Sequence, residues 1–160
     1  MDKPPFAISL LDDDPSVLKA TSRLFRSAGF PLISFEDPAA FLEHAASHHP
    51  PVAVIDMCMP GMNGLEVQTH LRKLSPDTEV IFLTSRDDAP TRERALAAGA
   101  FAFLLKPAEN DELLSVIAFA ARHTADFFPA CRCESLSRRR VEQRYRAGAR
   151  PFSDWRGRPF

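Results

Sequence analysis

The sequence predicts an α/β protein: a five-stranded parallel sheet, doubly wound with helices on both faces, followed by a basic C-terminal tail. Five short apolar runs alternate with five stretches of helical character, which is the signature of strands joined by crossover helices. Several of those runs are apolar throughout instead of alternating, as strands buried on both faces must be. Chain length sets the limit. With 160 residues there is room for one ordinary core and an appendage, since two full domains of half that size would each bury too little of their surface.

Residues 6–11 form the first expected strand. The helix after it is clearly punctuated: Asp14 stands at the N-cap, Pro15 at the first helical position, and Gly29 beyond the last turn, where each residue suits the backbone geometry of that place. Between them Val17, Leu18, Thr21, Leu24, Phe25 and Ala28 share one mostly apolar face. A second strand spans 32–35, and the second helix repeats the device with Asp37 and Pro38, turning Phe41, Leu42 and Ala45 inward. The third strand is 52–55. A third helix follows Asn63 and Gly64 with Leu65, Val67 and Leu71 on its apolar side. Strand four covers 79–83, and a fourth helix follows Asp88 and Pro90 and stops at Gly99. The last strand, 101–105, leads to a helix from about residue 109 to residue 123.

Charge divides the chain. Residues 1–130 carry 11 Lys and Arg against 18 Asp and Glu, whereas residues 131–160 carry nine Arg against Glu134, Glu142 and Asp154. An acidic domain over 1–123 and an Arg-rich linker or tail over 124–160 are therefore expected. No apolar run is long enough to span a bilayer, and no basic segment precedes an apolar stretch at the N-terminus, so a cytoplasmic protein is expected. Cys58, Cys131 and Cys133 suit neither a disulfide framework nor a four-ligand zinc site and are read as reduced thiols.

In an open parallel sheet, reactive groups collect at the C-terminal ends of the strands, and this sequence concentrates them there. Asp12, Asp13 and Asp14 follow the first strand, Asp56 the third, Thr84 and Ser85 the fourth, and Lys106 the fifth. Carboxylates converging on one edge repel one another, and hard oxygen donors of this kind suit Mg²⁺. With no His beside them and Cys58 the one nearby thiol, softer metals are disfavoured. An ammonium and a hydroxyl on the same edge supply what a transferred phosphoryl group needs, a positive charge and a hydrogen-bond donor.

Over residues 5–122 the chain resembles the CheY-like receiver domains of two-component response regulators, which are flavodoxin-like in fold. The resemblance lies in Leu11-Asp12-Asp13-Asp14, in Ile55-Asp56-Met57-Cys58-Met59-Pro60-Gly61-Met62-Asn63-Gly64, in Phe82-Leu83-Thr84-Ser85, and in Ala98-Gly99-Ala100 leading to Phe103-Leu104-Leu105-Lys106-Pro107. It implies that Asp56 accepts a phosphoryl group from a sensor histidine kinase or phosphotransfer protein. By the same resemblance, Asp13, Asp56 and the backbone carbonyl of Cys58 would bind Mg²⁺, with Asp12 acting through a metal-bound water. Lys106 would contact the phosphoryl oxygen and Thr84 would swing to it. Phe103 would then turn into the space Thr84 leaves, altering the face of helix four, strand five and helix five. That face would serve output, including pairing with a second copy. Cys58 and Arg86 stand where side chains tune the lifetime of the phosphorylated state.

Weaker signals read more plainly as structure. His44, His48 and His49 could present a metal face on the second helix, but no acid or Cys of suitable spacing accompanies them. Arg138, Arg139, Arg140, Arg144, Arg146 and Arg150 could neutralise phosphates. A transcription-associated regulator whose tail contacts DNA or an acidic partner is thus the alternative reading, weakened because no pair of apolar-faced helices can be drawn after residue 123.

Overall fold

The structure, a computed structural model, describes residues 7–86, 88–106 and 109–123. Phe6, Pro107, Ala108, Cys131, Cys133 and the Arg-rich segment 124–160 lie outside the described residues. The chain alternates β1 (Ile8–Leu11), α1 (Pro15–Ser27), β2 (Leu32–Phe35), α2 (Pro38–His48), β3 (Val52–Ile55), α3 (Gly64–Leu74), β4 (Glu79–Thr84), α4 (Ala89–Ala97), β5 (Ala102–Leu105) and α5 (Asn110–His123). All strands are parallel, in the order β2-β1-β3-β4-β5. No described helix is long and apolar enough to cross a membrane.

The caps act as the sequence suggests. Asp14 accepts the Ser16 N–H at 2.8 Å, and Asp37 accepts those of Ala39 and Ala40, both at 3.3 Å. Each bond satisfies a donor that the first turn leaves without an intrahelical partner, and Pro in that turn has no such donor to satisfy. α3 opens with a capping box: the Glu66 N–H donates to Asn63 Oδ1 at 3.0 Å and the Asn63 N–H to Glu66 Oε2 at 2.9 Å. α4 differs, because Asp88 makes no bond to its backbone and instead takes the Thr91 hydroxyl.

Alternation along the strands divides the core in two. Ile8, Leu10, Val52, Val54, Ile81, Leu83 and Leu104 pack with Leu18 and Phe25 of α1 and Leu113, Val116 and Ile117 of α5. On the opposite face Leu11, Ala53, Ile55, Val80 and Phe82 meet Phe41 and Ala45 of α2, Val67 and Leu71 of α3 and Ala95 of α4. The expected apolar face of α3 needs one amendment. Gln68 is buried beside Val67 and Leu71 while Leu65 is half-buried. Its Nε2 donates to the Ala95 carbonyl at 3.1 Å, and one turn later Arg72 donates to the carbonyls of Gly99 and Pro76, the latter at 3.0 Å. The bonds to Ala95 and Gly99 satisfy carbonyls at the C-terminal end of α4, so polar side chains pin that end to α3.

Candidate functional site

Register brings the acids together. Leu11 pairs with Ile55 across β1 and β3, so the next residues, Asp12 and Asp56, leave the sheet side by side. Backbone bonds continue past the strand ends to hold them: Asp56 N–H donates to the Leu11 carbonyl at 2.9 Å, and Asp12 N–H to that of Phe35 at 3.2 Å. Asp12 is 2 % exposed and Asp56 7 %, while Asp13 faces solvent. One carboxylate oxygen from each of Asp12, Asp13 and Asp56 lies within 4.8 Å of the others, which is the one metal-capable group of three among the described residues. His44 and His48 are not part of such a group. Their rings stack on each other with centroids 4.3 Å apart, and burial followed by the His48 charge pushes His44 below its ordinary value.

Lys106 arrives from β5, its backbone N–H bonded to the Thr84 carbonyl at 2.6 Å. The ammonium lies 2.7 Å from Asp12 Oδ2 and 3.6 Å from Asp56 Oδ1. From sequence alone, relief of the repulsion among the acids is left to Mg²⁺ and the lysine is kept for the phosphoryl group. The structure shows the lysine already neutralising part of that repulsion, across 94 residues of sequence. A buried carboxylate without a partner is costly, so the pairing is expected on physical grounds once both groups reach the same edge.

The remaining balance is unfavourable to charge on Asp56. Burial pushes its carboxyl above the ordinary 3.8; Lys106 opposes this, Asp12 adds to it, the Cys58 N–H opposes it, and Asp13 adds again. That N–H reaches Asp56 Oδ1 at a long 3.5 Å, and the Cys58 side chain is exposed. For Lys106, burial alone would lower the ammonium, but the hydrogen bond to Asp12 and the charges of Asp56 and Asp12 outweigh it and raise the group above 10.5. Two groups perturbed by burial and by each other's charge at one sheet edge mark it as a candidate functional site.

Thr84 is fully buried at the end of β4, its Oγ1 accepting the Arg86 N–H at 3.3 Å. Phe103 pairs in register with Phe82 on the same side of the sheet, the two rings 6.2 Å apart at 51°. Three residues gain a role that sequence alone left blank. Gly64 begins α3 where a Cβ would stand 2.9 Å from Met57 Cα and from Phe82 Cε1, and 3.0 Å from the Asp56 carbonyl oxygen. Gln68 pins α4, which its spacing from Val67 and Leu71 could have revealed. Arg92 lies over the Phe103 ring, 5.6 Å from its centre, and no local pattern signals that contact.

A doubly wound parallel sheet with three acids and a lysine at the C-terminal edge defines a class of phosphoryl-handling α/β domains. A family model described as the response regulator receiver domain matches residues 8–118. The chain is 36% identical over 115 residues to the response regulator protein TodT of Pseudomonas putida, an alignment covering 72% of this chain and 51% of that one. Among solved structures, FixJ-N is 29% identical with a TM-score of 0.69, covering 77% of this chain and 97% of its own. A CheY-like receiver from Methanospirillum hungatei JF-1, 24% identical with a TM-score of 0.72 over 76% of this chain and 97% of its own, shares the fold. The chain belongs to the response regulator receiver domain family. It spans about half the length of the curated relatives it matches.

Proposed function

We propose that the chain is a phospho-accepting switch of the cytoplasm in which Asp56 is the acceptor. A carboxylate oxygen of Asp56 attacks phosphorus as the bond to the donor breaks and its electron pair leaves with the donor, the imidazole of a sensor kinase or phosphotransfer protein. Lys106 neutralises charge on the transferred group, and Thr84 donates its hydroxyl to it. Phe103 follows Thr84, and the face of α4, β5 and α5 changes for an output partner or a second copy. The chain so catalyses its own loading and unloading. The observation that carries this reading is the convergence of Asp56 with Asp12, Asp13 and Lys106 on one edge. The receiver unit is proposed to span 1–123 and the Arg-rich linker 124–160. A DNA-contacting role for the tail is not favoured, since fold and site both lie within the family match.

Incubation of the full chain with phosphoramidate and Mg²⁺, read by intact mass, tests it. One added phosphoryl group, labile to hydroxylamine, is expected. A folded chain that gains none under these conditions would remove the reading.

The donor set fits Mg²⁺: three hard carboxylates meet within reach of one another, and the Cys58 carbonyl belongs to the loop that leaves Asp56. Such an ion supplies positive charge for phosphoryl oxygens. Because Lys106 occupies Asp12, it competes with a cation for the same oxygen. Lys106→Ala is therefore expected to bind Mg²⁺ more tightly by about tenfold while phosphoryl uptake becomes slower. A titration followed by circular dichroism melts would show it, the midpoint rising with free Mg²⁺ over its dissociation constant. Equal or weaker affinity in the variant would contradict the competition.

A further inference from the structure

We propose that Arg92 is a positioning residue for the aromatic switch, its guanidinium holding Phe103 in its half-buried resting place and thereby setting how far the output face is shifted before Asp56 is loaded. The inference rests on the phosphorylation switch proposed above. Phe103 meets both a ring and a cation. The ring of Phe82, buried in the sheet, lies 6.2 Å away centre to centre, and the Arg92 guanidinium carbon stands over the ring 5.6 Å from its centre, within the reach of a cation–π attraction.

The placement of Arg92 on α4 matters as much as the contact. The C-terminal end of α4 is tied down by Gln68 on Ala95 and Arg72 on Gly99. At the N-terminal end no side chain caps the backbone. Arg92 sits toward this end, its own N–H bonded to the Asp88 carbonyl at 2.9 Å. A cation near the start of a helix opposes its dipole, and the first turn of α4 carries no acid; the contact with the Phe103 ring is one that offsets this cost. Turning the ring toward Thr84, which lies two residues beyond Phe82 on the same strand face, takes it from under the guanidinium. Loss of the contact accompanies switching, and its strength enters the resting equilibrium directly. A cation–π contact at a partly buried site changes an equilibrium constant by at least about 2–5-fold, enough to set a resting signal without locking the domain.

The test uses the full chain labelled with 4-fluorophenylalanine, the Phe103 fluorine resonance being assigned by its loss in Phe103→Leu. Beryllofluoride with Mg²⁺ stands in for the phosphoryl group and defines the switched position. Arg92→Met and Arg92→Gln, which keep bulk but not charge, are expected to move the resting resonance toward that position, a shift of at least about 2–5-fold in the equilibrium. Arg92→Lys should stay close to the parent, and the other phenylalanine signals should hold their places in all three. A resting resonance unmoved in the Met and Gln variants, or moved as far by Lys as by Met, would overturn the proposal. If the parent ignores beryllofluoride, the phosphorylation reading fails. The latch is judged separately, by the Met-against-Lys difference at rest.

Discussion

Asp56→Asn should take up no phosphoryl group under conditions that load the parent to completion. Among the described acids, Asp56 combines a neighbouring pair of carboxylates with Lys106 at 3.6 Å; Asp13 is exposed, and Asp12 is already bonded to Lys106 at 2.7 Å. An amide at position 56 keeps the shape and removes the nucleophile. Intact mass after treatment with phosphoramidate reads the result directly, and full labelling of the variant would place the acceptor elsewhere. The same substitution should stabilise the metal-free fold. Asp56 holds its proton more tightly folded than unfolded, so its ionised form is a penalty present in full above the raised folded value. The penalty fades as pH falls through that value toward the ordinary 3.8. At neutral pH the Asn variant should therefore melt above the parent in chelator, and the gap should narrow in acid. Melts that show the opposite pH trend would mean that Lys106 outweighs burial at this carboxylate.

Gly64→Ala should lower stability by about 2–3 kcal/mol, or roughly 8–12 °C in melting midpoint for a domain of this size. The sign is informative, because Ala in a helix is ordinarily better than Gly by about 1 kcal/mol. Here the new Cβ would meet the backbone at Met57 Cα, 2.9 Å away, and at the Asp56 carbonyl, 3.0 Å away. Neither can move without moving the loop that leaves Asp56. Phosphoryl uptake should slow along with the loss of stability. Gly61 supplies the contrast: its φ is +86°, and a methyl group added there would meet nothing within 4 Å, so Gly61→Ala should cost only about 1–2 kcal/mol of backbone strain. Circular dichroism melts of both variants check the pair, and a Gly64→Ala midpoint at or above the parent would show that α3 does not press on the loop that leaves Asp56.

Element order and most boundaries were legible in the sequence because they are written locally. Asp14-Pro15 and Asp37-Pro38 start α1 and α2 where expected, and Gly29 and Gly99 follow α1 and α4 with positive φ. Small differences fall at strand ends: β4 runs on through Thr84, and β5 begins at Ala102, one residue after Phe101, whose N–H still bonds to the Val80 carbonyl at 2.7 Å. The residues gathered at the reactive edge were legible too, since each directly follows an apolar run whose end the sheet aligns.

Contacts between elements were not legible in this way. Whether Lys106 would meet Asp12 depends on the register of strands that are not adjacent in the sheet, and on which neighbour a partly buried ammonium finds first. Gly64 reads as an ordinary helix start until Met57 and Phe82 are seen to close on it. Arg92 reads as a solvated charge until β5 brings Phe103 beneath it. Periodicity and caps report the energetics of neighbours along the chain, and they determined this protein's class and the inventory of its site. Partner choice among those groups was left to tertiary structure, because Coulomb attraction, steric overlap and ring contacts act over a few ångströms between residues that the sequence holds tens of positions apart.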